Sequence, residues 1–216
     1  VIPEGMEDRF EHLPLECSHL YLAIEGKLAA VICVEDPLRE EAADAVRELK
    51  EAGITKVVMM TGDSERTAAA IAKRVGVDEY YSEVLPEDKA SFVEKEKELG
   101  HKVIMIGDGI NDSLALSSAS VGIAISDGAA IAREIADVTI SADNLHEIVT
   151  LKRLSTALMK RIHNNYRTII GINGGLIALG VTGIIMPTTS ALLHNMSTLT
   201  ISLRSMRNLL PKEEKA

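Results

Sequence analysis

Short continuous apolar runs alternate along this chain with stretches of helical periodicity. The runs lie at 56–60, 102–106, 120–125 and 137–140, and each predicts a buried strand. Helices are predicted around them, at 64–75, 86–100, 111–118 and 129–135. Apolar strands that alternate with helices are typical of a parallel sheet with helices on both faces. The pattern therefore predicts an α/β fold.

Two further elements precede this pattern. Residues 20–34 form two apolar runs joined at Glu25-Gly26-Lys27, which predicts a β-hairpin. The next stretch predicts a helix that has Asp36 as its N-cap, Pro37 in its first turn and Gly53 at its end.

The composition changes after residue 143. Residues 144–167 predict a long amphipathic helix with a basic end, and residues 168–203 contain no Asp, Glu, Lys or Arg. This second stretch has room for two slightly short membrane-spanning helices joined near Pro187. Basic residues on both sides of it predict that both ends face the cytoplasm. The alternative is a buried helical hairpin in a protein that does not enter the membrane.

Charge and cysteine content narrow the possible functions. The 216 residues carry a net charge of −9, which argues against nucleic acid as a partner. Cys17 and Cys33 form no C-x-x-C pair, and we expect both to be reduced, as in a cytosolic setting. No signal peptide opens the chain, and its first residue, Val1, leads us to expect a fragment of a longer protein.

Polar motifs follow two of the predicted strands, at the edge where parallel α/β sheets bind ligands. Thr61 and Gly62 can place a hydroxyl and loop amides against an anion such as phosphate, and we expect Asp63 to hold that loop. In GDGIND, Asp108 and Asp112 offer the hard oxygen ligands that Mg²⁺ prefers.

The neighbouring residues add to the same chemistry. Gly107 and Gly109 allow a tight backbone turn, and Asn111 can donate to a carboxylate or a phosphate. Lys89, near the start of a predicted helix, can neutralise phosphoryl oxygens. Because phosphoryl transfer needs little beyond positioning, Mg²⁺ and positive charge, the order and placement of these motifs predict such a site.

Three stretches closely resemble the phosphorylation domain of P-type ATPases: MMTGDSERTAAAIAKRVGV, LPEDKA and VIMIGDGINDSLALSSASVGIAI. The stretch LAAVICVEDPLRE resembles the segment that leaves the nucleotide-binding domain and returns through a hinge. A tail with two predicted spans is similar to the heavy-metal-translocating branch. The resemblance implies a haloacid-dehalogenase-like fold, ATP and Mg²⁺ as cofactors, an aspartyl-phosphate intermediate and export of a heavy-metal cation.

The resemblance also implies roles for individual residues. The loop at 61–63 (Thr, Gly, Asp) matches the TGD loop that contacts the phosphorylated site, and Lys89 matches the lysine that steadies the phosphoryl group. Asp108 matches the Mg²⁺ ligand, and Asn111 and Asp112 complete that motif around Gly109.

The sequence departs from the family in two respects. Leu114 stands where the family usually has proline, and we expect little effect because that proline would only help to start a helix. The nucleophilic Asp of a D-K-T-G-T stretch is absent, since Asp36 begins D-P-L-R and is interpreted as a helix cap. We therefore expect the C-terminal third of a pump that needs its missing N-terminal part as a partner and does not turn over ATP alone.

The predicted organisation places the chain partly in the lipid bilayer of the cell membrane, with the phosphorylation domain in the cytoplasm. The predicted parts are the end of the nucleotide-binding domain with the return hinge at 1–35, the phosphorylation domain at 36–143, a linking helix at 144–167, two transmembrane helices at 168–206 and a cytoplasmic tail at 207–216.

Polar residues in the charge-free stretch are candidates for an ion path. The candidate ligands of the transported divalent cation are Asn173, His194, Asn195, Ser197 and Thr198. Imidazole, hydroxyl and amide donors suit manganese or zinc better than Cu(I), and neither the copper-pump nor the zinc/cadmium-pump pattern is matched. The alternative is that the hydroxyls bond the helix backbone and the histidine lies near the membrane interface.

Two other functions stay open at this point. One is a stand-alone Mg²⁺-dependent phosphatase of the same fold, against which the missing nucleophile and the charge-free stretch both count. The other is a membrane-anchored regulatory or binding module, which the residues do not separate from a pump fragment.

Overall fold

The computed structural model describes residues 18–34, 38–107, 111–125, 134–140 and 144–210. The chain divides into two compact units, Val1–Val149 and Thr150–Ala216. The finer domain boundaries at 35, 143 and 167 stay predictions.

The first described element is a β-hairpin, as predicted. Strands β1 (Ser18–Ile24) and β2 (Lys27–Val34) pair antiparallel, with Ile24 opposite Lys27. Glu25 and Gly26 both have positive φ, 50° and 77°, which is the combination that a two-residue type I′ turn requires. The large apolar side chains of the hairpin are mostly exposed, namely Leu20, Tyr21, Leu22, Ile24, Ile32 and Val34.

The strands in the rest of the first unit are parallel, which confirms the α/β prediction. Strand β3 (Val58–Met60) pairs with β4 (Glu79–Tyr81). Strands β5 (Ile104–Gly107), β6 (Val121–Ile125) and β7 (Val138–Ile140) form a parallel sheet in that order. Strand β4 was not predicted, because its three residues, Glu-Tyr-Tyr, form no apolar run.

Helices fill the connections between these strands. They are α1 (Ala42–Glu51), α2 (Glu65–Val75), α3 (Pro86–Glu98) and α4 (Ser113–Ser118). Helix α2 begins as predicted, because the Ser64 hydroxyl accepts the Thr67 N–H, and it ends at Gly76, whose φ is 79°. Helix α3 has Pro86 in its first turn.

The start of α1 differs from the prediction. Its N-cap is Glu41, which makes no side-chain capping bond, while Asp36 and Pro37 lie outside the described residues. The predicted end is confirmed, since Gly53 follows the helix with a φ of 96°. Most of the helix predicted at 129–135 also lies outside the described residues.

A small apolar core joins α3, β5 and α4. Its buried members are Val93, Met105, Ala115 and Leu116, and Met60 from β3 packs against them. Helix α4 lies directly on β6, because a Cβ at Gly122 would stand 2.6 Å from the Leu116 carbonyl oxygen. This packing fixes the start of α4 beside the carboxyl end of β5.

The second unit contains most of helix α5 (His146–Val181) and helix α6 (Pro187–Ser205). The predicted linking helix and the start of the first predicted span are therefore one continuous helix. No helix in the described part of the chain combines the length and apolar character that crossing a membrane requires. The predicted transmembrane helices are thus not confirmed: α5 ends at Val181, soon after the charge-free stretch begins, and α6 intersperses His, Asn, Ser and Thr among its apolar residues.

Candidate phosphoryl-transfer site

The loop that follows β3 is held by its own side chains. The Thr61 hydroxyl donates to Asp63 Oδ2 at 2.6 Å and accepts the Asp63 N–H at 3.1 Å. Both residues are half-buried, while Gly62 between them is exposed. These two hydrogen bonds close the loop on itself and leave the exposed Gly62 backbone facing solvent, while the functional role expected for Asp63 stays a prediction.

Backbone hydrogen bonds join this loop to the segment that leads into α3. Thr61 N–H donates to the Tyr81 carbonyl, and Val84 N–H donates to the Thr61 carbonyl, both at 3.0 Å. Glu83 N–H donates to the Asp63 carbonyl at 2.9 Å, with Glu83 at a φ of 53°. The pairing of β3 with β4 thus continues past the strand ends, and it ties the Thr61 loop to the start of the helix that carries Lys89.

Glu65 adds a side-chain link across the same region. It lies in the first turn of α2 and accepts hydrogen bonds from Tyr80 Oη at 2.7 Å and Ser82 Oγ at 2.5 Å. The Ser82 and Tyr80 hydrogen bonds hold the pKa of the Glu65 carboxyl below its ordinary value, and the same contact raises the pKa of Tyr80.

Lys89 and Asp112 form a largely buried ion pair. Lys89 Nζ stands 2.8 Å from Asp112 Oδ1, and the two side chains are 15% and 12% exposed. Asp112 occupies the N-cap position of α4, yet its carboxylate makes no capping hydrogen bond. A carboxylate at an N-cap position commonly accepts a hydrogen bond from the first turn of its helix, but the Asp112 carboxylate pairs with Lys89 instead.

The remaining residues of the GDGIND motif are only partly described. Asp108 and Gly109 lie outside the described residues, and Asn111 is exposed directly before Asp112. Asp112 Oδ2 accepts no hydrogen bond from the described part of the chain, although the residue is buried. A carboxylate oxygen that accepts no hydrogen bond from the described residues is a hard oxygen donor of the kind that Mg²⁺ prefers, so the residues present are compatible with the cation.

Gly107 differs from the role predicted for it. We expected it to permit a tight turn, but it is not among the residues with positive φ. A Cβ at this position would lie 2.4 Å from Asp112 Oδ2, so the glycine permits a close approach. The sequence alone does not reveal this reason for the glycine, because the contact depends on how α4 packs.

The candidate cargo ligands behave differently from one another. Asn173 Oδ1 and His194 Nδ1 are 2.9 Å apart and line a groove of about 620 Å³ between α5 and α6. The Ser197 and Thr198 hydroxyls donate to the His194 carbonyl, as in the alternative in which they bond the helix backbone. Asn195 lies on α6 but does not line the groove.

No group of three or more His, Cys, Asp or Glu side chains close enough to hold a metal occurs among the described residues. The structure therefore brings together one pair of the predicted cargo ligands, and the full ligand set stays a prediction.

A protein family and several known proteins are similar to this chain in sequence. The chain matches the family of haloacid dehalogenase-like hydrolases over residues 4–120. It is 44% identical over 176 residues to copper-transporting ATPase 2 of Rhizobium meliloti, which covers 82% of this chain and 21% of that protein. It is 38% identical over 189 residues to the manganese-exporting P-type ATPase of Mycobacterium tuberculosis, covering 87% of this chain and 26% of that one.

A solved structure is similar over almost the whole chain. The crystal structure of a zinc-transporting PIB-type ATPase in the E2.Pi state superposes with a TM-score of 0.83 at 30% identity, covering 97% of this chain and 34% of that one. The chain spans about a quarter of the length of the curated relatives. The resemblance to heavy-metal P-type ATPases is confirmed, and the chain that carries the TGD, PEDK and GDGIND motifs belongs to the haloacid dehalogenase-like hydrolase family.

Proposed function

We propose that this chain is the C-terminal part of an ATP-driven pump that exports a heavy-metal cation through an aspartyl-phosphate intermediate. The observation that carries the proposal is the largely buried Lys89–Asp112 ion pair. Lys89 lies near the start of α3, and the segment 82–85 that leads into this helix is hydrogen-bonded to the Thr61 loop. A largely buried cation beside a carboxylate, near a loop with an exposed glycine backbone, supplies the positioning and positive charge that phosphoryl transfer needs.

In this proposal each side chain has a limited task. The Lys89 ammonium has three N–H donors, and Asp112 is the acceptor of one of them, so within the described residues two remain for phosphoryl oxygens. The exposed Gly62 backbone offers its amide N–H to the same group, and Thr61 adds its hydroxyl as a donor when that hydroxyl turns away from Asp63. These contacts neutralise and orient the phosphoryl group.

Asp108 and Asp112 would hold Mg²⁺, with Asn111 beside them. When bound, the cation supplies positive charge against the phosphoryl oxygens. Neither the nucleophilic carboxylate nor the bulk of an ATP site is encoded in these 216 residues, so we assign both to the remainder of the pump.

We further propose that residues 168–206 belong to the membrane part of the complete pump. The stretch 168–203 has no charged residue, and no residue of α6 is buried. Large exposed apolar side chains recur along it, among them Ile177, Val181, Ile184, Leu192, Leu199 and Leu203. Such a surface is unfavourable in water and calls for cover by lipid and by neighbouring helices of the same pump.

The cargo is proposed as a divalent heavy-metal cation. The imidazole of His194 and the amide of Asn173 are the donors already in contact, and they favour Mn²⁺ or Zn²⁺ over Cu(I). The relatives named above carry zinc, copper and manganese in their descriptions, and this similarity supports the class of cargo.

A chimera tests this function. The C-terminal portion of the manganese-exporting relative is replaced by the matching part of this chain, and the growth of an exporter-deficient host is followed against rising metal concentration. The pump proposal predicts restored tolerance, and it predicts that Asp108→Asn in the chimera abolishes it. A chimera that reaches the membrane in normal amount yet restores tolerance to no divalent metal would overturn the proposal.

A further inference from the structure

We propose that Gly107 is a positioning residue of the phosphoryl-transfer site: the space left by its missing side chain receives the Asp112 carboxylate and lets it reach Lys89. The inference rests on the proposed function for its importance to phosphoryl transfer. Its structural content, a steric dependence of the Lys89–Asp112 pair on Gly107, stands on the geometry alone.

The distances leave no room for a side chain at this position. A Cβ built on Gly107 would lie 2.4 Å from Asp112 Oδ2, 2.8 Å from its Cβ and 2.9 Å from its Cγ. Real Cβ atoms do not approach other atoms this closely, so an alanine forces a neighbour to move. Every atom in this contact belongs to Asp112.

The backbone of Gly107 gives no other reason for a glycine. The residue ends β5 and pairs with Ala124 of β6, and its φ lies outside the left-handed region. Any residue could adopt this conformation, so the constraint is one of space.

The clash has two parts: rotation of the Asp112 side chain can move Oδ2 and Cγ, but the Asp112 Cβ at 2.8 Å moves only if the start of α4 shifts with it. The Asp112 carbonyl accepts the Leu116 N–H at 2.8 Å, and Leu116 is packed into the core above Gly122. Because α4 already lies in contact with β6, its start can shift only a little. A Cβ at Gly107 therefore also turns the Asp112 side chain away from the end of β5. Its Oδ1 then loses the position 2.8 Å from Lys89 Nζ.

A double-mutant cycle on the full 216-residue chain measures this dependence without any ligand. Lys89→Met, Asp112→Asn and the double variant are compared by urea unfolding, first in the parent and then in a Gly107→Ala background. In the parent we expect the two substitutions to be non-additive by about tenfold in the unfolding equilibrium constant. In Gly107→Ala we expect the non-additivity to fall below about twofold, and a persistent coupling would overturn the proposal.

Gly122→Ala is the matched control. It adds the same methyl group to the neighbouring strand, 2.6 Å from the Leu116 carbonyl oxygen, and the three atoms nearest to that methyl group all belong to Leu116. We expect it to destabilise the chain and to preserve the Lys89–Asp112 coupling. Loss of the coupling in this variant as well would make the effect a general disturbance of α4 and would overturn a specific role for Gly107.

A rescue keeps the test informative if Gly107→Ala does not fold. Asp112→Gly removes all three clashing atoms and keeps a residue that is accepted at a helix N-cap. In that background Gly107→Ala should change the unfolding equilibrium constant by less than about threefold. An equal loss of stability in both backgrounds would contradict the proposal.

A measurement with Mg²⁺ distinguishes failure of this positioning role from failure of the proposed function on which it rests. Thermal unfolding of the parent chain with and without Mg²⁺ should show stabilisation by the cation, and Gly107→Ala should reduce it. If the parent shows no stabilisation while the cycle behaves as predicted, the magnesium role fails and the positioning role stands. If Mg²⁺ stabilises the parent and Gly107→Ala equally, the positioning role fails.

Discussion

Glu65 illustrates how a single exposed residue organises the loops around the candidate site. It accepts two hydroxyl hydrogen bonds, and these lower the pKa of its carboxyl. A carboxyl whose pKa is lower in the folded chain than in the unfolded chain stabilises the fold above the unfolded pKa. That stabilisation disappears as the pH falls through the folded pKa.

We predict that Glu65→Gln lowers the thermal unfolding midpoint at pH 7 and that the difference from the parent shrinks below about pH 4.5. The reason is that the parent loses its charge-assisted hydrogen bonds on acidification, whereas the amide never has them. Thermal unfolding between pH 3 and pH 7 checks this. Glu83→Gln, a nearby glutamate at φ 53°, is the control, and an identical pH profile for both variants would contradict the role of Glu65.

Residue-level predictions from sequence succeeded where the cause is local. Ser64 and Gly76 bound α2 because capping depends only on the helix they flank. The contacts of Gly107 with Asp112, and of Glu65 with Tyr80 and Ser82, depend on tertiary packing between segments. No spacing in the sequence reports them.

At the scale of elements, α4 is the short helix on which the site depends, since it holds Asp112 through the packing of Leu116. Leu116 is 1% exposed and belongs to the core formed with Val93 and Met105. Removing its side chain takes away burial and leaves a cavity between α4 and β5.

We predict that Leu116→Ala lowers the free energy of unfolding by about 2–5 kcal/mol, as measured by urea denaturation. Leu114→Ala, in the same helix at 55% exposure, is the control and should change it by less than about 0.5 kcal/mol. Equal effects of the two substitutions would show that α4 is not anchored by Leu116.

The end of α6 is held by two side chains of α5. The Arg161 guanidinium donates to the carbonyl oxygens of Ser205, Arg207 and Asn208, and Asn165 Nδ2 donates to Ser205 Oγ at 2.7 Å. The last carbonyl groups of a helix have no partner within it, so these hydrogen bonds satisfy carbonyl oxygens that would otherwise be bonded to water.

We predict that Arg161→Ala accelerates amide hydrogen exchange at residues 203–208 by about tenfold, the change that losing about 1.4 kcal/mol of local stability produces. Arg161→Lys should fall in between, because an ammonium cannot reproduce the planar fork. Exchange measured by mass spectrometry checks this, with Lys160→Ala as the neighbouring control. Unchanged hydrogen exchange in Arg161→Ala would show that Arg161 does not hold the end of α6.

Elements were predictable from sequence to the extent that their pattern is long and periodic. The runs that became β3, β5, β6 and β7 are apolar, as is typical of parallel strands, and burial is most complete in β6, where residues 122–124 are buried. Strand β4 is a three-residue stretch held by its pairing with β3. The end of α5 at Val181 could not be predicted either, since the charge-free stretch continues past it.

At the scale of the whole molecule, the proposed function assigns to the 216 residues the supporting groups of a phosphoryl-transfer site and assigns its nucleophile to another part of the pump. Short motifs at strand ends revealed the family because this chemistry relies on a few fixed positions. The cargo could not be derived in the same way, since among the described residues Asn173 and His194 are the one pair of candidate ligands joined by a hydrogen bond between side chains. An ion site in a pump draws its ligands from several helices.

We predict that the isolated chain does not hydrolyse ATP, because the carboxylate that would accept the phosphoryl group is absent from it. Phosphate release in the presence of Mg²⁺ checks this, with Asp108→Asn as the control. Mg²⁺-dependent release that Asp108→Asn abolishes would show that the chain is a complete phosphatase.

The most direct test of the account is phosphorylation of the chimeric pump by ATP. Labelled phosphate should appear on the chimera in an acid-stable, hydroxylamine-sensitive form, as an acyl phosphate does. Lys89→Met and Asp112→Asn should each lower the rate of labelling by about a hundredfold, because the first removes a positive charge beside the transferred group and the second removes the carboxylate that positions Lys89 and the proposed Mg²⁺. A folded chimera that forms no acyl phosphate, or variants that are labelled as fast as their parent, would contradict the assignment of Thr61, Lys89 and Asp112 to a phosphoryl-transfer site.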